Sequence, residues 1–236
     1  MALPKLETPR YELTVPSTGK VVAFRPYLVK EEKVLLMAME SENPKQIFSA
    51  MQDVISSCTF GNVNVDNLTS FDIEYIFLQL RIKSVGETVT VNLKCEKDEA
   101  YTPVEVDLTQ VKLVQSPGFV SSLDVKLTDS IGVVLKPIKA SDLITLDPKV
   151  NKTDLITDLV IATISHIYDS EKIYRPEDIS KEELRQFIDS LSRQQITKIQ
   201  NYITSFPRLE LDVTFTCVKC GHVNTIKLNG MESFFV

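Results

Sequence analysis

Hydrophobic and polar residues change their spacing several times along the chain. Residues 11–29 alternate on both sides of the turn sequence PSTGK and predict a β-hairpin. Helical spacing follows, and Pro44 divides it into helices at about 30–41 and 44–57. Residues 70–84 carry apolar side chains around most of a helical surface and therefore predict a buried helix.

Two later hairpins carry cysteines. Residues 88–108 return to strand spacing after Gly86 and predict a hairpin whose tip carries Cys95. Residues 209–229 predict a hairpin of similar form, whose tip has the sequence CVKCGH. The two segments resemble each other loosely, which suggests an internal pair.

The residues between these hairpins predict a strand pair and then helices. Residues 119–138 alternate as two short strands. Residues 151–168 have helical spacing, and Ser180 with Glu183 matches the capping box that begins a further helix. Another helix follows, and Pro207 ends it.

Strands and helices cluster along the chain and do not alternate as βαβ units, so the predicted class is α+β. We expect two knuckle-bearing, zinc-ribbon-like hairpins combined with clusters of short helices. Three regions are expected: a hairpin and helical region at 1–87, a β-rich region with the paired hairpins at 88–138 and 207–236, and a helical insertion at 139–206.

The sequence CVKCGH has the form of a zinc knuckle. Two thiolates three residues apart can bind one tetrahedral metal ion, and the small Gly221 lets backbone N–H groups turn toward sulfur. A structural zinc site needs four ligands, and Cys95 and Asp98 have the same spacing at the tip of the other hairpin. The predicted ligands are therefore Cys95, Cys217, Cys220 and a fourth residue, for which Asp98 and His222 compete.

The alternative is a pair of hairpins without metal. In that case Cys95 is an ordinary thiol at a strand end, and the CVKC sequence is a degenerate knuckle held by hydrogen bonds. A redox-active CxxC should begin a helix, whereas this one lies between strands. Cys58 follows an apolar helix stripe and is expected to be a buried hydrophobe, and His166 is expected to be structural.

Composition narrows the functional classes. The 236 residues have a formal net charge of −6 and no basic stripe with interleaved aromatics, which argues against nucleic acid as a partner. With two histidines and no nucleophile motif, the sequence supports no catalytic triad, and with seven glycines it has no Gly-rich phosphate loop. We therefore expect the protein not to be an enzyme.

The sequence also bears on localisation. No apolar run reaches the ~20 residues of a transmembrane helix, and the N-terminus lacks a signal peptide pattern. We expect a soluble, intracellular protein whose four cysteines are thiols or metal ligands.

Both ends of the sequence are apolar. The tail GMESFFV ends in Phe234, Phe235 and Val236, which either fold back onto the protein's own core or insert into a neighbour. The segment ALPKLETPRYEL is interrupted by prolines and predicts an extended arm that reaches a partner.

Three blocks of the sequence resemble a known family. They are LPKLETPRYELTVPSTGKVVAFRPYLVKEEKVLLMAME, FDIEYIFLQLRIKSVGE, and CVKCG with the later LNGMESFF. They resemble the T4-type bacteriophage baseplate hub proteins, which include small hub subunits and hub assembly factors of contractile-tailed phages. The family pattern has CxxC at both hairpins, whereas this chain has Asp98 at one of the cysteine positions. The departure argues against a four-cysteine zinc site and leaves a mixed-ligand site open.

The resemblance implies a non-enzymatic role in virion assembly. Such a protein would be assembled in the host cytoplasm, help to form the central hub of the tail baseplate, and contact other hub and tail proteins, including tape-measure or spike components. It would be either a permanent hub subunit or a transient assembly chaperone that is absent from the finished virion. The competing hypotheses are a zinc-ribbon adaptor that binds nucleic acid and a metal-dependent hydrolase.

Overall fold

The computed structural model describes residues 7–145 and 151–234. These residues form helices and small antiparallel sheets, which confirms the predicted α+β class. The helices of the described part are α1 (Val29–Glu40), α2 (Pro44–Cys58), α3 (Ser70–Ser84), α4 (Ala140–Thr145), α5 (Lys152–Ala162), α6 (Lys181–Asp189) and α7 (Arg193–Thr204). Its strands are β1 (Tyr11–Thr14), β2 (Val21–Phe24), β3 (Thr88–Lys94), β4 (Tyr101–Asp107), β5 (Lys112–Val114), β6 (Leu123–Lys126), β7 (Gly132–Leu135), β8 (Ile164–Tyr168), β9 (Ile173–Tyr174), β10 (Arg208–Thr216) and β11 (Val223–Asn229).

The strands form four sheets. Two are the hairpins β1-β2 and β3-β4, the third has the order β11-β10-β5, and the fourth has the order β6-β7-β8-β9. The hairpins predicted at the N-terminus, around Cys95 and around the CVKC sequence are therefore all present. None of the described helices is long and apolar enough to cross a membrane.

The chain divides into two compact units. The first comprises the described residues of Met1–Val65, Phe71–Val114 and Arg208–Val236, and the second comprises those of Asp66–Ser70 and Gln115–Pro207. The first unit is therefore discontinuous in sequence, because the second unit interrupts it at Asp66–Ser70 and again between β5 and β10.

Helix α3 provides one wall of the first unit's core. Its residues Ile76 and Leu80 are fully buried, as expected for a helix that is apolar on most of its surface. Leu78 and Ile82 of the same helix pack in a cluster with side chains from the β3-β4 and β10-β11 hairpins. The hairpin residues of this cluster are Val91, Leu93, Val106, Leu209, Val213, Phe215 and Leu228. The two cysteine-bearing hairpins are thus held by one hydrophobic core.

The C-terminal aromatic tail contributes to the same core. A 3₁₀ turn at Met231–Phe234 follows β11, and the Phe234 side chain is fully buried within the cluster. The sequence left two possibilities for the tail, and for Phe234 the structure favours packing onto the protein's own core. Phe235 and Val236 lie outside the described residues.

The N-terminal half of the first unit follows the helix boundaries that Pro44 predicts. Pro44 begins α2, and the side chain of Asn43 accepts a hydrogen bond from the N–H of Lys45 at 3.0 Å. Helix α1 ends at Glu40, and its buried residue Glu31 forms an ion pair with Arg25 at 2.9 Å. This ion pair attaches the start of α1 to the segment that follows β2.

The second unit packs helices against a four-stranded sheet. Apolar residues of β6, β7 and β8 form a cluster with residues of α5, α6 and α7. The capping box predicted at Ser180 and Glu183 is present and begins α6. The buried carboxylate of Asp158 on α5 accepts bonds from Lys181 at 2.8 Å and Arg185 at 2.9 Å, which joins α5 to α6.

One predicted helix is partly wrong. Residues 151–168 were expected to form a single helix, but α5 ends at Ala162 and the chain continues as β8. The pairing of β8 with β7 contains a bulge, because Leu135 pairs with Ile164 while its neighbour Val134 pairs with His166. The extra residue lets Ile164 and Ile167, three positions apart, both be buried, and this spacing imitates the period of a helix.

Candidate metal centre

The turn between β3 and β4 is closed by two backbone hydrogen bonds. The N–H of Cys95 donates to the carbonyl of Ala100 at 2.8 Å, and the N–H of Glu99 donates to the carbonyl of Cys95 at 3.0 Å. Glu99 has a φ of 60°, a left-handed conformation that costs an L-residue roughly 1 kcal/mol. Cys95 is the first residue of this turn and Asp98 is the fourth.

The turn between β10 and β11 repeats this geometry. The N–H of Cys217 donates to the carbonyl of His222 at 2.8 Å, and the N–H of Gly221 donates to the carbonyl of Cys217 at 3.0 Å. Gly221 has a φ of 69°, which a glycine adopts without steric cost. The two turns are therefore structural repeats, and Asp98 stands at the position that Cys220 has in the second turn.

The structure brings the first and fourth residues of both turns together. One ligand atom from each of Cys95, Asp98, Cys217 and Cys220 lies within 4.8 Å of all the others. The sulfurs of Cys95 and Cys220 are 3.7 Å apart, and the sulfur of Cys217 is 3.6 Å from Oδ1 of Asp98. All four cysteines of the chain are free thiols.

Two of these distances match those expected around a tetrahedral metal ion. With a metal–sulfur distance of about 2.3 Å and a metal–oxygen distance of about 2.0 Å, tetrahedral geometry places two sulfurs about 3.8 Å apart, and sulfur and oxygen about 3.5 Å apart. The observed spacings of 3.7 Å and 3.6 Å are close to both values. The four residues are therefore near enough to one another to hold a single metal ion.

The carboxylate of Asp98 has one oxygen available for a further contact. Its Oδ1 accepts a hydrogen bond from the N–H of Ala100 at 3.1 Å, and this bond is the main reason why the pKa of Asp98 is lowered. Its Oδ2 is buried and has no hydrogen-bond partner among the described residues. A buried carboxylate oxygen without a partner is unfavourable, and a bound cation would satisfy it.

The two cysteines of the second turn have opposite pKa shifts. The backbone N–H of Cys220 lowers the pKa of Cys217, and the N–H of Lys219, 3.4 Å from the Cys217 sulfur, lowers it further. The N–H of His222 favours a thiolate at Cys220 as well. Cys220 is exposed, but partial desolvation of its sulfur, the neighbouring sulfurs of Cys217 and Cys95, and the Asp98 carboxylate outweigh this hydrogen bond and raise its pKa to about 11. A divalent cation would offset the repulsion between the Cys220 thiolate and the neighbouring sulfurs and carboxylate. Its binding would therefore release protons from the thiols.

Two polar residues that the sequence did not single out connect the hairpins around the cluster. The buried side chain of Asn224 donates to the sulfur of Cys95 at 3.5 Å and accepts from the N–H of Glu96 at 3.0 Å. The hydroxyl of Thr102 accepts from the N–H of Val218 at 3.3 Å. Asn224 lies two residues after CVKCGH, at an inward-facing position of the predicted strand. A polar residue at such a position is the sequence feature that could have identified it.

The remaining candidate residues lie outside the four-residue cluster. His222 competed with Asp98 as the fourth ligand, but its imidazole is not part of the cluster within the described residues, and its backbone carbonyl closes the second turn. His166 lies on β8, half-buried, with its ring 3.4 Å from the hydroxyl of Ser165. Cys58 is fully buried, as predicted, and burial raises the pKa of its thiol to about 11.

The fold and the cluster define a mixed α+β protein in which the turns of two hairpins form a paired, knuckle-type candidate metal centre. Residues 8–236 match the family described as T4 bacteriophage base plate protein, so the chain belongs to that family. It is thus a phage baseplate protein, as the resemblance of its sequence blocks indicated at the level of the family. Neither a curated protein nor a solved structure matches the chain.

Proposed function

We propose that this chain is a non-enzymatic component of the central hub of a contractile phage tail baseplate. The observation that carries the proposal is family membership over residues 8–236, which covers both cysteine-bearing hairpins. The proposed role is to bind other hub and tail proteins in the virion after assembly in the host cytoplasm. It requires rigid surfaces for protein contacts and no reacting group.

We further propose that the cluster binds one structural zinc ion. Three sulfurs and one carboxylate oxygen are ligands that zinc accepts, and four protein ligands are typical of a structural site. The two turns come from segments whose residues Cys95 and Cys220 are 125 positions apart, so the ion would join distant parts of the chain. Since such a site forms only in the folded state, its binding energy would stabilise the fold.

A metal analysis tests the zinc proposal. Protein purified without added chelator should contain about one zinc ion per chain, as measured by inductively coupled plasma mass spectrometry. Replacing Cys217 by Ser should lower the zinc content strongly. Replacing the buried Cys58 by Ala leaves all four proposed ligands in place and should not change it. A wild-type preparation with fully reduced thiols and no bound metal would contradict the proposal.

A protein inventory of purified virions, compared with the lysate of infected cells, tests the hub proposal. A hub subunit should be present in finished particles at a fixed ratio to other tail proteins. Detection only in the lysate, bound to hub precursors, would instead support the transient assembly chaperone. Absence from both would contradict a baseplate role for this chain.

A further inference from the structure

Helix α1 exposes an unusual number of apolar side chains. Met37 is 69% exposed, Leu36 is 53% exposed and Met39 is 47% exposed, and Val29 and Val34 of the same helix are exposed as well. Single exposed apolar residues are normal on a protein surface, but contiguous apolar surface usually marks an interaction site. Five exposed apolar side chains on a 12-residue helix make α1 a candidate interaction surface.

Part of this face forms one wall of an apolar groove within the first unit. Its lining includes Leu36 and Met39 of α1, Phe48 and Met51 of α2, and Phe77 and Met231. The volume of the groove is about 570 Å³. Helix α1 has 12 residues and is thus about 18 Å long, which provides about three turns for a bound helix.

The methionines of the chain are concentrated at this groove. Of the five in the sequence, Met39, Met51 and Met231 line the groove, and Met37 is exposed on the same helix. Methionine side chains are unbranched and polarizable, and they adapt to the shape of an incoming apolar surface. Grooves with such a lining are typical receptors for the apolar face of an amphipathic helix.

The charges at one end of the groove favour a basic partner. The last turn of α1 has no basic residue, and Glu40 and Glu42 are exposed beside the negative end of the helix dipole. Glu32 also lines the groove. The cation in the groove lining is Arg81, and its guanidinium already donates to the carbonyl of Gly86 at 2.9 Å.

We propose that the groove between α1 and α2 binds an amphipathic helix of another baseplate protein. The bound helix would present apolar residues at positions i, i+3 or i+4, and i+7, and would place lysine or arginine near Glu40 and Glu42. The choice of a baseplate protein as the partner rests on the proposed function, whereas the class of ligand rests on the groove itself.

The test uses the full chain and overlapping 20-residue peptides that tile the other baseplate proteins of the same phage. Binding is measured by fluorescence anisotropy, and the protein is labelled with ¹³C at its methionine methyl groups. A binding peptide should have a helical apolar stripe and a net positive charge. It should shift the methyl signals of Met39, Met51 and Met231, and shift that of Met37 much less.

Variants on one helix provide a matched control. Leu36→Glu and Met39→Glu change residues that line the groove, and each should weaken peptide binding at least tenfold. Met37→Glu makes a similar change on the same helix outside the groove lining, and should weaken binding less than twofold. All three positions are exposed, so the variants should fold, and circular dichroism verifies this.

Three results would overturn the inference. They are the absence of any binding peptide, binding that survives both groove variants, and self-association of the free chain that Met39→Glu abolishes. The last result would assign the groove to a second copy of the chain. Because the virion inventory is independent of these peptides, a failed groove test leaves the hub proposal intact, and a failed inventory leaves the groove result standing.

Discussion

Asp98 occupies the place of a fourth cysteine, and its chemistry determines what kind of metal centre the cluster can be. A carboxylate carries the same charge as a thiolate, so three thiolates and one carboxylate leave the total ligand charge unchanged. Its oxygen is harder and less polarizable than sulfur, and it binds a borderline-soft ion such as zinc less firmly. The two turns nevertheless have the same backbone geometry, so the Asp98 carboxylate lies in the cluster at the position that a cysteine sulfur would have.

Substitution of Asp98 tests its role as a ligand. Asp98→Ala removes one ligand, and we expect zinc affinity to fall at least about tenfold, since even the loss of outer hydrogen-bond partners of a metal site costs that much. Asp98→Cys completes a four-sulfur site and should raise zinc affinity. Competition with a coloured chelator measures both changes. Equal affinity in the wild type and Asp98→Ala would show that Asp98 does not bind the metal.

Glu31 should make the stability of the protein depend on acid pH. Burial by itself would raise the pKa of Glu31, but hydrogen bonds from Arg25, the N–H of Leu28 and Ser57 outweigh it and lower the pKa to about 2. A carboxyl whose pKa is lower in the folded state stabilises the fold above its ordinary pKa of 4.5. This contribution is lost as the pH falls from about 4.5 towards 2.

Urea denaturation of the wild type and Glu31→Gln between pH 7 and pH 2.5 measures this contribution. The wild type should be more stable at pH 7, and the difference in unfolding free energy should shrink as the pH falls. Other carboxylates titrate in the same range in both proteins, so only the difference reports on Glu31. A difference that stays constant with pH would contradict the assignment.

At the scale of secondary-structure elements, the sequence predicts most helix and strand boundaries that depend on the local spacing of apolar residues. The bounds of α3 follow from its apolar surface, Pro44 marks the start of α2, and Ser180 with Glu183 marks the start of α6. The strand β8 could not be predicted, because its bulge gives Ile164 and Ile167 a helical spacing. The bulge depends on pairing with β7, which is a tertiary contact that no local pattern encodes.

The candidate metal site was predictable to a similar degree. The matching spacing of Cys95 with Asp98 and of Cys217 with Cys220 selects the four residues that the fold brings together. The structure was required to see that Asp98, and not the imidazole of His222, lies with the three cysteines, because this depends on which side chain the closed turn directs inward. The part played by Asn224 also depends on contacts across two hairpins.

The C-terminal 3₁₀ turn is expected to be part of the folding core. Phe234→Ala removes a fully buried ring and should lower the unfolding free energy by about 3–5 kcal/mol. Phe60→Ala is a matched control, because Phe60 is 42% exposed and stacks beneath Arg10, so the loss should be about 1 kcal/mol or less. Chemical denaturation compares them. Similar small losses in both variants would show that Phe234 is not a core residue.

At the scale of the whole molecule, the candidate metal centre lies within a unit whose sequence is interrupted. The segments Phe71–Val114 and Arg208–Val236 supply one turn each, and the residues between them form the second unit. Bringing the two segments together costs chain entropy, and an ion that binds only the assembled pair of turns offsets part of this cost with its binding energy. Metal binding should therefore stabilise the first unit selectively.

Hydrogen–deuterium exchange with and without a zinc chelator tests this selectivity. Chelation should increase the exchange rates of the amides of β3, β4, β10 and β11. The amides of β7, β8, α6 and α7 in the second unit should exchange at unchanged rates.

The variants Cys217→Ser and Cys220→Ser should show the exchange pattern of the chelated protein even without chelator. Each should lose more than about 3 kcal/mol of unfolding free energy, since zinc-binding energy contributes to folding. Cys58→Ala keeps the four ligands and should keep the response to chelator. Equal weakening of both units would contradict the selectivity. If chelation changed neither unit, the stability of the hairpins would have to come from the hydrophobic core around Leu209 and Phe234 alone.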